Sequence, residues 1–145
     1  MAKETRKYAQ DTSVPVERTR AEIEKLLEKH GAKSFVYGTT EAQIMIVFEM
    51  KSRRLRFLVP MLALNKSKSN EKEVAKEKRR RWRSLLLLIK AKLEAVASEI
   101  VEFDKEFLAH LVISGNTTIG DRWTAEAVSM ISRGELPPLL LGDGS

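Results

Sequence analysis

The residues with the clearest chemical potential form a basic run in the middle of the chain. Six of the eight residues from Lys76 to Arg83 are lysine or arginine, and Trp82 is the one aromatic residue among them. On a helix, most of these cations would project opposite or beside the indole ring. Guanidinium groups bind phosphate oxygens bidentately, and fixed positive charge displaces condensed counterions. The run therefore predicts a phosphate-binding helix face.

A second basic group lies in the preceding part of the chain. Residues 51–83 carry 13 basic and 3 acidic side chains, although the whole chain has a net charge of only +6. Charge concentrated in this way attracts polyanions. We predict that this segment binds nucleic acid, DNA rather than RNA, without reading base sequence. A solvated helix face would have a similar composition. The predicted phosphate-binding residues are Arg53, Arg54, Arg56, Lys76, Arg79, Arg80, Arg81 and Arg83.

The other candidate sites are weaker. His30 and His110 are far apart in the sequence, and neither has a metal-ligand spacing. Glu102, Asp104 and Glu106 alternate, so an extended backbone would place three carboxylates on one side, where they could hold a divalent cation. On a helix they would scatter. We therefore predict a protein that is not an enzyme and uses no metal or cofactor, with a metal-dependent nuclease as the alternative.

Composition limits the class of protein further. The chain has 145 residues, which is typical of one domain, and it has no cysteine, so disulfides and thiolate chemistry are excluded. The longest strongly apolar run, Leu85–Ile89, is far shorter than the roughly 20 residues that span a bilayer. The N-terminus is polar. These features predict a soluble cytoplasmic protein with no membrane partner.

Periodicity defines the elements that position the basic residues. Thr19 and Glu22 have the spacing of a capping box, which predicts a helix over about 20–30. Apolar side chains then alternate along three short segments between residues 35 and 59, separated by turn-forming residues. This pattern predicts an antiparallel three-strand meander.

A long amphipathic helix is predicted over 70–100, which contains neither glycine nor proline. Its apolar stripe, from Trp82 to Ile100, suits packing against a sheet. Leu87 and Leu88 lie off this stripe and need a second cover, so we predict that they form an interface.

The last third of the chain contains weaker signals. The sequence predicts a strand over 107–113, a turn at Ser114–Asn116 and a helix from Asp121 to about Arg133. The fold class predicted from these elements is α+β. It consists of an antiparallel three-strand meander, with a second hairpin, packed on the long helix.

The same pattern predicts how the chain is divided. We expect a flexible N-terminal arm over 1–15, a single α+β domain over 16–136 and an extended C-terminal tail over 137–145. Pro137 and Pro138 prevent a helix in this tail.

Three stretches carry a resemblance to known proteins. Residues 13–24 (SVPVERTRAEIE), 81–95 (RWRSLLLLIKAKLEA) and 134–140 (GELPPLL) resemble small uncharacterised proteins of tailed bacteriophages and prophages. The resemblance implies expression in the cytoplasm of a bacterial host, among proteins of phage replication, recombination or counter-defence. The order helix, three-strand meander, long helix is also similar to that of phage single-strand annealing proteins.

A protein-binding module is the alternative from a different functional class. In that case the basic face would meet an acidic host protein surface, for example as a phage-encoded inhibitor of a host defence or transcription enzyme. Leu87, Leu88 and the tail residues Leu136–Leu141 would supply apolar anchors in a homo-oligomer or a complex.

Overall fold

The computed structural model describes residues 13–61 and 71–134. Within these two ranges ten elements follow one another: α1 (Val16–Lys29), β1 (Lys33–Thr39), β2 (Gln43–Met50), β3 (Arg53–Pro60), α2 (Glu71–Ala97), α3 (Phe103–Glu106), a 3-10 turn (Leu108–His110), β4 (Val112–Ser114), β5 (Thr117–Thr118) and α4 (Ile119–Ser132). The predicted α+β class, with its second hairpin, is confirmed. Most of the predicted arm and the whole predicted tail lie outside the described residues.

The three long strands form the predicted antiparallel meander, in the order β1–β2–β3. Val36 pairs with Val47, which pairs with Arg56 on the third strand. An isolated antiparallel bridge between Leu55 and Leu111 brings the small β4–β5 hairpin alongside β3.

One face of this sheet forms the core with α1 and α2. Alternate residues of β2 and β3 are buried on this face because successive side chains of a strand point to opposite faces. The predicted apolar stripe of α2 is buried there from Trp82 to Leu93, and Trp82 is in contact with Tyr37 of β1, with ring centroids 6.0 Å apart. The prediction is wrong for Ile100, which lies beyond the end of the helix and is 82% exposed. The main core residues are Ile23, Leu27, Ile44, Ile46, Phe48, Leu55, Phe57, Trp82, Leu85, Ile89 and Leu93. Arg54 and Arg56, which alternate with Leu55 and Phe57, therefore project from the opposite face.

Helices α1 and α2 lie side by side and run in the same direction. Glu22 is ion-paired with Arg83, at 3.0 Å. Farther towards the C-terminus of each helix, Lys29 of α1 and Lys90 of α2 line opposite sides of one groove. Both helices therefore present a continuous outer surface with a seam between them. None of the helices in the described ranges is long and apolar enough to cross a membrane.

The first helix begins earlier than the capping-box spacing predicts. Pro15 is its N-cap and no side chain caps it, while Thr19 is fully buried within the first turn. The predicted box is wrong because Val16, Thr19 and Ile23 form one face of the helix that packs towards the core.

The strand predicted over 107–113 is also wrong in its first half. Phe103 and Phe107 stack with ring centroids 4.8 Å apart, a contact that the i, i+4 spacing of a helix allows. Strand pairing begins only at Val112. The final helix is capped by Thr118 rather than by Asp121. The Thr118 hydroxyl accepts from the Asp121 N–H, and the Asp121 carboxylate accepts from the Thr118 N–H, both at 3.1 Å.

Candidate nucleic-acid interface

The predicted basic run forms two turns of α2 and is helical as expected. We call the five cations of this run that were predicted to bind phosphate the α2 basic surface: Lys76, Arg79, Arg80, Arg81 and Arg83. Trp82, in their midst, is fully buried against the sheet and confirms the packing phase of the helix. Because the indole ring faces the core, the neighbouring cations lie on the flanks and outer side of the helix.

Glu77 is the acidic residue within this surface, and its side chain is only 2% exposed. Its carboxylate pairs with two guanidinium groups: Arg80 Nη1 lies 3.1 Å from Oε1, and Arg81 Nε donates to Oε2 at 3.2 Å. Sequence reasoning did not single out Glu77, although its i, i+3 and i, i+4 spacing to the two arginines was a usable signal. One buried carboxylate thus orients two cations and neutralises one positive charge.

The other members of the surface differ in their surroundings. Arg83 donates to Glu22 of α1 at 3.0 Å and is largely covered. Lys76 is exposed, and Arg79 is partly exposed beside the start of α1. Within the described ranges, neither Lys76 nor Arg79 forms an ion pair. Among the described residues, three of the five cations therefore pair with two carboxylates, Glu22 and Glu77, and the other two form no ion pair.

The hairpin arginines lie elsewhere. Arg53 forms a bidentate pair with Asp104 of α3, with Nε–Oδ1 at 2.8 Å and Nη2–Oδ2 at 2.7 Å. The hydrogen bonds to Asp104 raise the pKa of Arg53 above its usual value. Helix α3 is joined to the C-terminal half of α2 through Lys92 and Glu106, 2.9 Å apart. Arg53 is therefore near the end of α2 that is remote from Arg79 and Arg80.

Arg56 is buried, with 8% of its side chain exposed. Its guanidinium donates to the carboxylate of Asp121 in α4 and to the backbone carbonyl of Asn116 in the β4–β5 turn. The pKa of Asp121 is lowered by the Thr118 N–H and, to a smaller extent, by Arg56. Arg56 thus fastens the second hairpin and α4 to the sheet, and both of its terminal guanidinium nitrogens already donate to protein acceptors.

Arg54 is the exposed member of the hairpin set, and Glu49 on the adjacent strand is 3.9 Å away. It projects from the sheet face opposite α2. The structure therefore does not gather the eight predicted phosphate-binding residues on one surface: five lie on α2 and three are divided between the far end and the far face of the sheet.

Of the two arrangements of Glu102, Asp104 and Glu106, the structure has the helical one and not the row of carboxylates. Residues 103–106 are helical, so the three acidic side chains take different partners: Asp104 pairs with Arg53, Glu106 with Lys92 and Glu102 with Lys105. The packing of Phe103 against Phe107 favours this helical turn. In the described ranges, no cluster of three or more acidic or histidine side chains is arranged to hold a metal ion.

The two histidines have local structural contacts. The Nδ1 atom of His30, at the end of α1, lies 3.0 Å from the backbone oxygen of Leu26. His110 stacks on Phe57 with ring centroids 4.0 Å apart. Burial, together with the charge of Lys92, lowers the pKa of His110 below its usual value.

The predicted interface residues Leu87 and Leu88 are exposed to 38% and 43%. Leu87 lies on the side of α2 that borders α1, as part of the wall of the groove between the helices. Leu88 is the next residue and is outside this groove. That these two leucines form an interface stays a prediction.

No family model matches the chain, and neither the curated proteins nor the solved structures include a significantly similar one.

Proposed function

We propose that this protein binds nucleic acid non-enzymatically through the α2 basic surface, largely without reading base sequence. The proposal retains the phage-type accessory role that the sequence resemblance implies, in the cytoplasm of a bacterial host. The observation that carries it is the charge distribution on α2, where Arg80, Arg81 and Arg83 pair with only two carboxylates and Lys76 and Arg79 form no ion pair with a described residue.

The arrangement around Glu77 suits phosphate recognition. A single carboxylate cannot neutralise both Arg80 and Arg81, so a phosphate oxygen approaching this pair meets a net positive charge. The buried carboxylate also restricts the two guanidinium groups, which reduces the side-chain entropy lost on binding. Lys76 and Arg79 add positive charge, since neither forms an ion pair with a described carboxylate.

The proposed interface is smaller than the sequence predicts. Arg56 is committed to Asp121 and Asn116, and Arg53 to Asp104, so both contribute to the fold. Binding by five cations at most gives a slope of log affinity against log salt of about −4.5 on duplex DNA, compared with roughly −7 for all eight predicted residues.

Fluorescence anisotropy with labelled single- and double-stranded DNA and RNA tests the proposal, with titrations at about 50 and 200 mM salt. We expect binding that weakens with salt and differs little between unrelated sequences of the same strand type. A slope near zero, or no binding at the lower salt, would contradict the proposal. A strong preference for one base sequence would contradict recognition through phosphates.

A pair of matched variants locates the interface. The triple variant Lys76→Gln, Arg79→Gln, Arg80→Gln should lose on the order of 100-fold in affinity at about 0.1 M salt and reduce the salt slope. The control Arg53→Gln, Arg54→Gln, Lys105→Gln removes the same charge at the other end of the molecule. Equal losses in both variants would show that net charge, rather than the α2 basic surface, determines binding.

A protein partner is the second candidate, favoured by the exposure of two adjacent leucines, Leu87 and Leu88, on a helix. Exposed apolar side chains of this kind are common in interfaces. A protein partner that binds through these leucines would be indicated by association that survives high salt but is lost on replacing Leu88 with aspartate.

A further inference from the structure

The seam between α1 and α2 widens into a groove of about 520 Å³. Its apolar lining comes from Leu26 on one helix and from Leu86 and Leu87 on the other. The lysines at its rim are Lys25 and Lys29 on α1 and Lys90 on α2. No described residue forms an ion pair with these three lysines. The groove is therefore apolar inside and positively charged at its edges.

Helix α4 has the complementary character. No residue of this 14-residue helix is buried within the described part of the chain. Trp123, Ala127, Met130 and Ile131 recur at i, i+4, i+7 and i+8, which places them on one face. Trp123 is 48% exposed and Ile131 is 54% exposed. An amphipathic helix with an uncovered apolar face needs a partner surface.

We propose that α4 of one copy of this chain docks into the α1–α2 groove of a second copy. Two surfaces that would otherwise each expose apolar side chains then cover one another. In this mode of recognition an amphipathic helix lies in an apolar groove, and its apolar side chains, which recur at helical spacing, contact the groove.

The dimensions of the two surfaces agree. From Glu22 to Lys29, and equally from Arg83 to Lys90, the groove walls extend about 10 Å along the helix axes. From Trp123 to Ile131 the apolar face of α4 extends about 12 Å. The groove thus accommodates two turns of α4.

The charges agree as well. The groove rim is positive, whereas the docked turns of α4, residues 123–131, contain one charged residue, and it is acidic. Glu126 lies in the middle of the docked turns, and the negative end of the helix dipole lies beyond Ile131. The lysines at the groove rim would lie close to the Glu126 carboxylate and to the C-terminal end of the docked helix.

A copy cannot fill its own groove in this way. Arg56, which holds Asp121 at the start of α4, projects from the sheet face opposite α1 and α2. Helix α4 therefore begins on the side of the molecule away from the groove. Because the contact joins two different surfaces, it is heterologous and leaves a free groove and a free α4 at the ends of every assembly. Copies would associate head to tail.

The first experiment measures mass against concentration by light scattering or sedimentation. The wild-type chain should show species larger than a dimer as concentration rises. The variants Leu87→Asp, in the groove, and Trp123→Asp, on α4, should each weaken association by at least about 10-fold. Leu88→Asp is the matched control, since this equally exposed neighbour lies outside the groove. A wild-type chain that stays monomeric, or equal effects of the two leucine variants, would overturn the proposal.

Mixing the two variants gives the decisive result. The Leu87→Asp chain keeps an intact α4 and the Trp123→Asp chain keeps an intact groove, so the mixture should form a one-to-one dimer that cannot grow. If α4 instead paired with α4 of another copy, Leu87→Asp alone would still dimerise and the mixture would add nothing. Either of these observations would overturn head-to-tail docking.

The wild-type chain also supplies a signal that needs no variant. It contains two tryptophans, Trp82, which is fully buried, and Trp123, which is exposed. On concentration, the emission should shift to shorter wavelength and quenching by acrylamide should decrease, because Trp123 enters the groove. Association with unchanged quenching would place the contact elsewhere. Nucleic-acid binding by Leu87→Asp, measured separately, distinguishes failure of this inference from failure of the proposed function.

Discussion

Arg56 on β3 and Arg80 on α2 carry the same side chain but have opposite surroundings. Arg56 is buried and bonded to an acidic side chain and a backbone carbonyl from another hairpin and helix. Arg80 is more exposed and shares the carboxylate of Glu77 with Arg81. The first guanidinium donates to two protein acceptors that belong to separate elements, whereas the second shares one buried carboxylate with a neighbouring arginine.

This difference shows that a basic run in a sequence does not determine which of its cations are available to bind a ligand. The density of lysine and arginine is high in both regions, yet it indicates a ligand only where acceptors are too few. The relevant quantity is the number of protein acceptors that reach each guanidinium group in the fold. The following predictions test this contrast between the β3 arginines and the α2 basic surface.

The largest expected effect is the loss of the buried contact. Arg56→Met should lower the free energy of unfolding by about 2 kcal/mol, because Asp121 and the Asn116 carbonyl lose their charged donor. Arg54→Met, on the same strand but exposed, should change it by less than about 0.5 kcal/mol. Urea denaturation measures both. If Arg56→Met left stability unchanged but weakened DNA binding, the contrast would be wrong.

The second effect concerns the shared carboxylate. Glu77→Gln removes the charge that offsets Arg80 and Arg81, so DNA affinity should rise by up to about 8-fold at about 0.1 M salt, which corresponds to one added phosphate contact. The exposed Glu94→Gln makes the same change in net charge farther along α2 and should have a smaller effect. Anisotropy titrations compare the two. Weaker binding by a folded Glu77→Gln chain would indicate that this carboxylate positions the arginines more than it neutralises them.

The third effect is a pH dependence of the free energy of unfolding that arises from His110, which stacks on Phe57 of β3. Burial and Lys92 lower the pKa of His110 in the folded chain, while its bond to the Arg56 backbone and Glu106 oppose this. In the unfolded chain it titrates near its usual value of about 6.5. The unfolded state therefore binds the proton first as pH falls, and stability decreases below about pH 6.5 by at most about 1.4 kcal/mol per pH unit.

Thermal unfolding between about pH 7.5 and 5.5 measures this loss. His110→Phe keeps an aromatic ring against Phe57 and should flatten the dependence over the same range. A wild-type chain that became more stable on acidification would contradict the assignment.

The smallest effect is in the turn that leads into β3. Lys51 and Ser52 have φ values of 52° and 62°, in the left-handed region, as expected of a two-residue hairpin turn that favours Asn-Gly. Lys51→Asn with Ser52→Gly should raise the free energy of unfolding by about 0.5 to 1 kcal/mol. Ser52→Ala, which keeps a side chain in the same conformation, should give no gain. Urea denaturation distinguishes them. Lys51 Nζ lies 5.3 Å from the centroid of the Phe103 ring, and destabilisation by Asn-Gly would show that this cation–π contact outweighs the gain in the turn.

The elements with strong periodicity were predicted well. The spacing of Trp82, Leu85, Ile89 and Leu93 identified the buried side of α2, and alternation identified the meander. The errors occurred where two patterns competed. Thr19 has capping-box spacing but is buried, because the helix begins earlier, after Pro15.

The candidate site was predicted less completely than the fold. The α2 cations were identified from their spacing, and the separate location of Arg53 and Arg56 was not. Alternation does indicate that Arg54 and Arg56 lie on the sheet face opposite Leu55. It does not indicate that Arg56 pairs with Asp121 or Arg53 with Asp104, since these partners lie on other elements that pack beside the sheet.

The sequence by itself determined the local features of this protein: which residues form the apolar stripe of α2, which strand positions share a face, and where positive charge accumulates. These follow from helix and strand periods, which involve neighbours a few residues apart. Tertiary structure alone decided which cations remain in excess. The partner of Arg53 is 51 residues away in the chain and that of Arg56 is 65 residues away. Such pairs form only when separate elements pack together, so no local pattern reports them.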